Sequence, residues 1–223
     1  MKKLGLVLVL VAIAAGGAFA QFDMSVGGGG IFDLSMGNGM TASGGGQKLE
    51  YELNNTSFGG FVFFDITYAE IEVDYLYGTT ETVVDGKTAK GNEGVFNQVG
   101  IGVLGKYPIS LGAATLFPMI GINYNMVMSY ELDGKEYKKV LGNDGKSYEI
   151  SEYFSQLGIL AGLGLDFGLT DQMFLRAEAL FHIRLPNKDQ ETAVDYYNKF
   201  PGVSAESTLG MGARVKIGIG YKL

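Results

Sequence analysis

His182 is the single histidine of this 223-residue chain, and charged residues flank it at even spacings: Arg176 and Glu178 before it, Arg184 after it. An imidazole titrates near neutral pH, so it is the residue type best suited to moving protons. Three acids, Glu70, Glu72 and Asp74, share the spacing of two. Other chemistry has little to work with. There is no cysteine, hence no thiolate nucleophile, thiolate metal site or disulfide. No D-x-D-x-D-G run offers a calcium loop. Gly100-Ile101-Gly102-Val103-Leu104-Gly105 matches the dinucleotide glycine pattern, but that pattern needs a following helix, which Lys106-Tyr107-Pro108 forbids. No catalytic residue, cofactor or metal is expected, and His182 is read as a structural member of its charge cluster.

A spacing of two places side chains on one face of a β-strand, and the whole chain is written that way. Leu209, Met211, Ala213, Val215, Ile217, Ile219, Tyr221 and Leu223 alternate with Gly210, Gly212, Arg214, Lys216, Gly218 and Gly220. Met173, Leu175, Ala177, Ala179, Phe181 and Ile183 oppose Arg176, Glu178, His182 and Arg184. Ile71, Val73, Tyr75 and Tyr77 oppose Glu70, Glu72 and Asp74. Similar alternations fall at 22–36, 95–107, 116–129 and 153–167. Only Ser57–Phe64 is apolar on both faces, and its sides stay unassigned. Eight strands result. Short turns are expected near Asp65–Thr67, Pro108–Ala113 and Gly168–Gln172, and long polar stretches at 37–56, 78–94, 131–151 and 186–206. Short turns at one end and long connections at the other are the asymmetry of an up-and-down membrane barrel.

The polar face decides whether the apolar face is inside or outside. It is mostly glycine, with the acids Asp23, Asp33, Glu70, Glu72, Asp74, Asp166 and Glu178 and the bases Lys106, Arg176, Arg184, Arg214 and Lys216. All three arginines of the protein lie on it, while the long stretches use only lysine. Arginine suits enclosed, bidentate carboxylate pairs and lysine a solvated surface. Glycines leave room for long side chains inside a narrow barrel. The fold class is therefore all-β: an eight-stranded antiparallel transmembrane β-barrel with Glu70, Glu72, Asp74, Arg176, Glu178, His182, Arg184, Arg214 and Lys216 as a structural charge network in its lumen. Phe22, Phe64, Tyr68, Tyr107, Phe167, Phe174 and Tyr221 are expected in an interfacial girdle near the short turns, and Tyr75, Tyr77, Tyr130 and Tyr153 in one near the long connections.

Met1-Lys2-Lys3, an apolar run from Leu4 to Ala15 and Ala18-Phe19-Ala20 are the three parts of a secretory signal peptide. Residues 1–20 are read as that leader and 21–223 as the barrel domain. The alternative is a retained anchor over the uncharged residues 4 to 22, in which the small residues at 18 and 20 have no role. The formal net charge of −7 gives no footprint for nucleic acid.

The leader, the alternating strands and the closing Val215-Lys216-Ile217-Gly218-Ile219-Gly220-Tyr221-Lys222-Leu223 resemble the small outer-membrane β-barrel superfamily, of the OmpA transmembrane domain, OmpX, OmpW and opacity-protein type. The resemblance spans the mature chain and rests on pattern rather than on a specific motif. It implies the outer membrane of a diderm bacterium, long loops outside and both termini periplasmic. The implied partners are outer-membrane lipid, periplasmic chaperones and the barrel-assembly machinery, with a host or environmental surface ligand for the loops. The family's last strand usually ends on an aromatic residue; Leu223 departs from this. Some such barrels deacylate lipid A with a strand histidine and a serine two residues on, where this chain has Arg184.

Function is then expected in the loops. In the fourth, Tyr196, Tyr197 and Phe200 recur at helical spacing from Ala193, with Pro201-Gly202 to end the helix. They read as a cap over the barrel mouth or as an aromatic contact surface. Asp85-Gly86, Asp133-Gly134 and Asp144-Gly145 read as hairpin turns, so the third loop is expected to fold as β-extensions. Two functions remain open: a closed barrel acting through its loops in adhesion, recognition or envelope integrity, and a small OmpW-like channel for hydrophobic or tiny polar solutes.

Overall fold

Strict period-two sequences with one apolar face have nowhere to hide a sheet edge except by closing it, and this chain closes. In the computed structural model, which describes residues 23–223, eight strands form an antiparallel ring: β1 (Met24–Gly44), β2 (Gln47–Ile66), β3 (Ala69–Val84), β4 (Lys87–Lys106), β5 (Ala114–Leu132), β6 (Gln156–Gly168), β7 (Met173–Arg184) and β8 (Gly210–Lys222). Each pairs with its neighbours in sequence, and β8 closes on β1. The leader expected over residues 1–20, and Phe22, lie outside the described residues.

Register follows charge. Asp33 sits directly across from Arg214, Glu178 from Lys216 and Asp166 from Arg176. A slip of one residue would turn every one of these side chains to the opposite face. Ser57–Phe64, which sequence alternation leaves unassigned, is settled by the same pairing. Ser57, Phe61 and Phe63 point inward with Asp65, while Phe58 and Val62 point out.

Two of the expected long loops are strand instead. Residues 37–56 and 78–94 continue β1 to β4 well beyond the apolar belt, ending in the tight turns Gly45-Gly46 and Asp85-Gly86. All four turn residues have positive φ, from 49° at Asp85 to 81° at Gly46, as a hairpin turn matched to the strand twist requires. The extensions look like loops in sequence because nothing apolar covers their outer face. At Gly37, with φ of 77°, the β1–β2 register shifts between Ser35 and Asn38. Before this bulge the odd residues of β1 are inward; after it Asn38, Met40 and Ala42 are buried.

The third connection folds as β-extensions, as its Asp-Gly turns suggest. Lys135–Tyr137 returns along β5 across Asp133-Gly134, and Lys139–Leu141 pairs with Ser147–Glu149. It ends in a short helix, α1 (Ile150–Tyr153). Tyr153 is thus buried beneath the connection, and Tyr130 packs against the buried Phe96, Val127 and Ile150 beside it; neither is the outward strand residue expected of it. The fourth connection carries α2 (Lys188–Tyr197), opened by a reciprocal capping box between Asn187 and Gln190, which satisfies two orphan backbone donors.

Candidate functional site

All nine lumen residues expected from sequence are buried together, and they form one connected structure. At its upper end Arg184 and Arg214 share Asp33, each at 2.8 Å. Arg214 continues to Asp74 at 3.1 Å and Glu72 at 3.7 Å. Glu72 pairs with Lys216, which also holds Glu178 at 2.9 Å. Arg176 then gathers Asp65 at 2.5 Å and Glu70 and Asp166 at 2.7 Å each, while Lys106 reaches Asp65 at 2.6 Å. His182 lies beside the upper end, its Nε2 3.2 Å from the Leu34 carbonyl and 3.4 Å from Asp33. Asp23 does not join; it is exposed at the rim. Among the described residues, seven carboxylates thus meet five cations, and Glu70 Oε1 and Asp74 Oδ1 are buried with no hydrogen-bond partner. Glu70, Glu72 and Glu178 bring carboxylate oxygens within 4.8 Å of one another, but Lys216 and Arg176 already supply their counter-charge.

Sequence alternation missed the apolar half of this network. Phe63, Phe117 and Phe174 surround the Arg176 guanidinium with ring centroids 4.1, 5.0 and 5.2 Å from it. That arrangement favours the cation electrostatically while keeping water away. Phe174 is therefore a lumen residue and not part of the girdle expected of it. Its place opposite Gly220 on β8 was the available signal. Large inward side chains recurrently lie over a glycine of the paired strand. Asp74 lies over Gly100, Glu72 over Gly102, Phe117 over Gly164, His182 over Gly212 and Phe174 over Gly220, and a Cβ at each glycine would overlap them. Asp65 escaped notice because it precedes Ile66-Thr67 and reads as part of a turn.

Two cavities lie at either end of the charge network and share no lining residue. The one near the short turns, about 330 Å³, is bounded by Asp65, Lys106, Asp166 and Phe174. The other, about 150 Å³, occupies the mouth above Arg184. Over it sits α2, pinned where Gln190 Nε2 donates to the Gly39 and Thr208 carbonyls, at 2.5 and 2.9 Å. The Tyr153 and Thr192 hydroxyls lie 3.0 Å apart and tie α1 to α2. Burial pushes the Tyr51 and Tyr153 hydroxyls up to about 12 and raises the Asp189 carboxyl. The aromatic trio of the fourth connection lies on the outside of this cap. Tyr196 packs edge-on against Tyr197 and Phe200, at 5.6 and 5.3 Å, with Tyr196 and Phe200 exposed and Tyr197 half-buried.

The outer face settles what surrounds the ring. Val62, Ile120 and Ile217 are 60, 64 and 59% exposed, while Arg176 and Lys216 are fully buried. Exposed Tyr68 and Tyr107 stack at 6.5 Å near the short turns, with Phe167 and Tyr221 exposed at the same end. A barrel in water buries its apolar face; here it is turned outward around an ionic interior. This is a transmembrane β-barrel. No protein-family model matches the chain, and no curated protein does. Its fold is similar to Neisserial surface protein A at 12% identity and a TM-score of 0.45, over 90% of this chain and 97% of that one. It is similar to the attachment invasion locus protein of Yersinia pestis, in a complex with the heparin analogue sucrose octasulfate, at 13% and 0.36, over 91% and 99%. The N-terminal β-barrel domain of Pseudomonas aeruginosa OprF gives 11% and 0.35, over 91% and 100%.

Proposed function

We propose that the chain is an outer-membrane barrel with a closed lumen, its long connections outside and both termini periplasmic, acting through its surface in adhesion, recognition or envelope integrity. The observation that carries this reading is the unbroken ladder of ion pairs from Arg184 to Lys106. It fills the space between the two cavities, and moving it aside would leave buried charges unpaired, at several kcal/mol each. The exposed Tyr196–Phe200 cluster supplies the contact surface, since aromatic side chains dominate the energetics of recognition. The polyanion bound by the Yersinia protein is a poor guide to the ligand. This chain's formal charge is −7 and its third connection is slightly acidic, which disfavours sulfated partners. No group in the lumen is assigned a catalytic role; His182 is held between Asp33 and a backbone carbonyl.

The test is single-channel recording in a planar bilayer with refolded protein, its folding checked by a heat-dependent shift in gel mobility. The expected result is a silent bilayer. Reproducible conductance steps would make the protein a small channel instead, with the lumen charges as selectivity elements.

A further inference from the structure

The mouth cavity carries a charge that the closed-barrel reading does not use. Asp189, in the first turn of α2, lines this cavity and is only partly buried. Among the described residues no basic side chain pairs with its carboxylate; the adjacent Lys188 holds Glu191 instead, at 3.4 Å. Burial raises the Asp189 carboxyl, and a hydrogen bond from the Tyr153 hydroxyl offsets this only in part. An ionised group away from water is costly unless a counter-charge meets it. Arg184 borders the same cavity but is committed to Asp33 at 2.8 Å. Beneath it the network sets seven carboxylates against five cations, so nothing below the mouth repels a positive ligand.

The rest of the wall narrows the cation. Tyr51, Phe96, Tyr130 and Phe154 bring aromatic rings to the cavity from β2, β4, β5 and the C-terminal end of α1. Such rings attract a cation through their negative faces, and a set of them around one charge is how quaternary ammonium ligands are recognised. Polar groups between the rings are engaged with one another: Thr80 donates to Asn55 at 2.6 Å and Gln156 to Asn38 at 2.7 Å. A methylated ammonium has no N–H to satisfy, so it asks for rings and one anion and for no further acceptor. The volume of about 150 Å³ is below the roughly 300 Å³ at which pockets for whole drug-sized ligands begin, so it suits a head group.

We infer that the mouth is a binding site for one methylated ammonium group, its charge meeting Asp189 and its methyl groups lying against Tyr51, Phe96, Tyr130 and Phe154. The group belongs either to a free solute of the choline kind or to the phosphocholine head of a lipid; the cationic end is the same in both. The site is distinct from the outer aromatic cluster and holds whether or not the lumen conducts.

Saturation-transfer NMR titration of the full chain, folded in an uncharged maltoside detergent, tests this. The probes are tetramethylammonium, choline and glycerophosphocholine, compared with the carbon analogue of choline in which a tert-butyl group replaces trimethylammonium. Choline should bind, and its uncharged analogue should bind at least about tenfold more weakly. Asp189→Asn should weaken choline about tenfold and Tyr130→Leu about fivefold, the worth of one contact with a charged group and of one cation–ring contact. Asp189→Asn changes only the cap, so it reports even if Tyr130→Leu fails to fold. Glu191→Gln removes the same charge from the same helix outside the cavity and should leave binding unchanged. Choline bound without glycerophosphocholine assigns the site to a free solute; both bound assign it to a lipid head group. No binding by any of the cations, equal binding of the uncharged analogue, or binding untouched by Asp189→Asn in folded protein overturns the assignment. So does an equal loss from Glu191→Gln, which would make the effect one of net charge.

Discussion

The lumen and the mouth are built from the same eight strands and obey opposite rules. In the lumen the bases are paired with carboxylates, large side chains such as Glu72 and Phe117 lie over glycines, and the guanidinium of Arg176 is boxed by three phenyl rings. In the mouth amides and hydroxyls line the wall beside Phe96, Tyr130 and Phe154, and the cover is a helix tied to backbone by Gln190 and to Tyr153 by Thr192. Ionic packing of the first kind specifies register. The second kind leaves hydrogen-bonding capacity unspent. The division falls at the Gly37 bulge, where β1 changes which of its residues face in.

Breaking the lumen should have the largest effect. Arg176→Met leaves Asp65, Glu70 and Asp166 without their shared partner, and removing one member of a buried ionic set costs about 3–5 kcal/mol. Refolding yield and urea titration followed by gel mobility should show little folded barrel. Gly164→Val drives a side chain into the Phe117 ring; overpacking of this kind costs about 1–3 kcal/mol, visible as a lower urea midpoint with the fold retained. Gln190→Ala removes the bonds to Gly39 and Thr208. A loss of about 1–2 kcal/mol should appear locally, as faster amide exchange over residues 186–206, with the β-ring unchanged. Tyr196→Ala and Phe200→Ala should alter stability by less than about 0.5 kcal/mol while weakening surface binding; a large stability loss would make the trio part of the cap's packing.

At neutral pH the smallest effect belongs to Tyr51. Its hydroxyl is held near 12 in the fold against an ordinary 10.0, so the unfolded chain loses that proton first. The associated stability is fully present below the ordinary value and is lost as pH rises through the folded one. Tyr51→Phe should flatten the alkaline limb of the unfolding profile and do nothing at pH 7.

The sequence states the lumen more plainly than the mouth, for physical reasons. Lipid on one side and glycine on the other force a clean alternation, so the strand core and all nine network residues can be read directly. Where a strand leaves the membrane, both faces become polar and the period disappears; residues 37–56 and 78–94 look like loops for that reason alone. Phe61, Phe63, Phe117 and Phe174 are hidden by the opposite ambiguity, since an aromatic facing an arginine and one facing lipid look the same in sequence. The hydrogen bonds of Gln190 join residues 151 and 18 positions apart, and no local pattern announces them.

The tall extensions of β1 to β4 carry a mechanical consequence. Seven residues of β1 beyond the bulge, 38–44, reach roughly 18 Å at about 3.3 Å per residue, allowing for tilt. A load hung on the Gly45-Gly46 tip pulls along the strand direction. It pulls β1 and β2 the same way, so it is borne in shear by the flanking ladders, from β1 to Val203–Ser207 and β8 and from β2 to β3. A tether of that build yields by tearing the whole barrel from the membrane, not by fraying at its point of attachment.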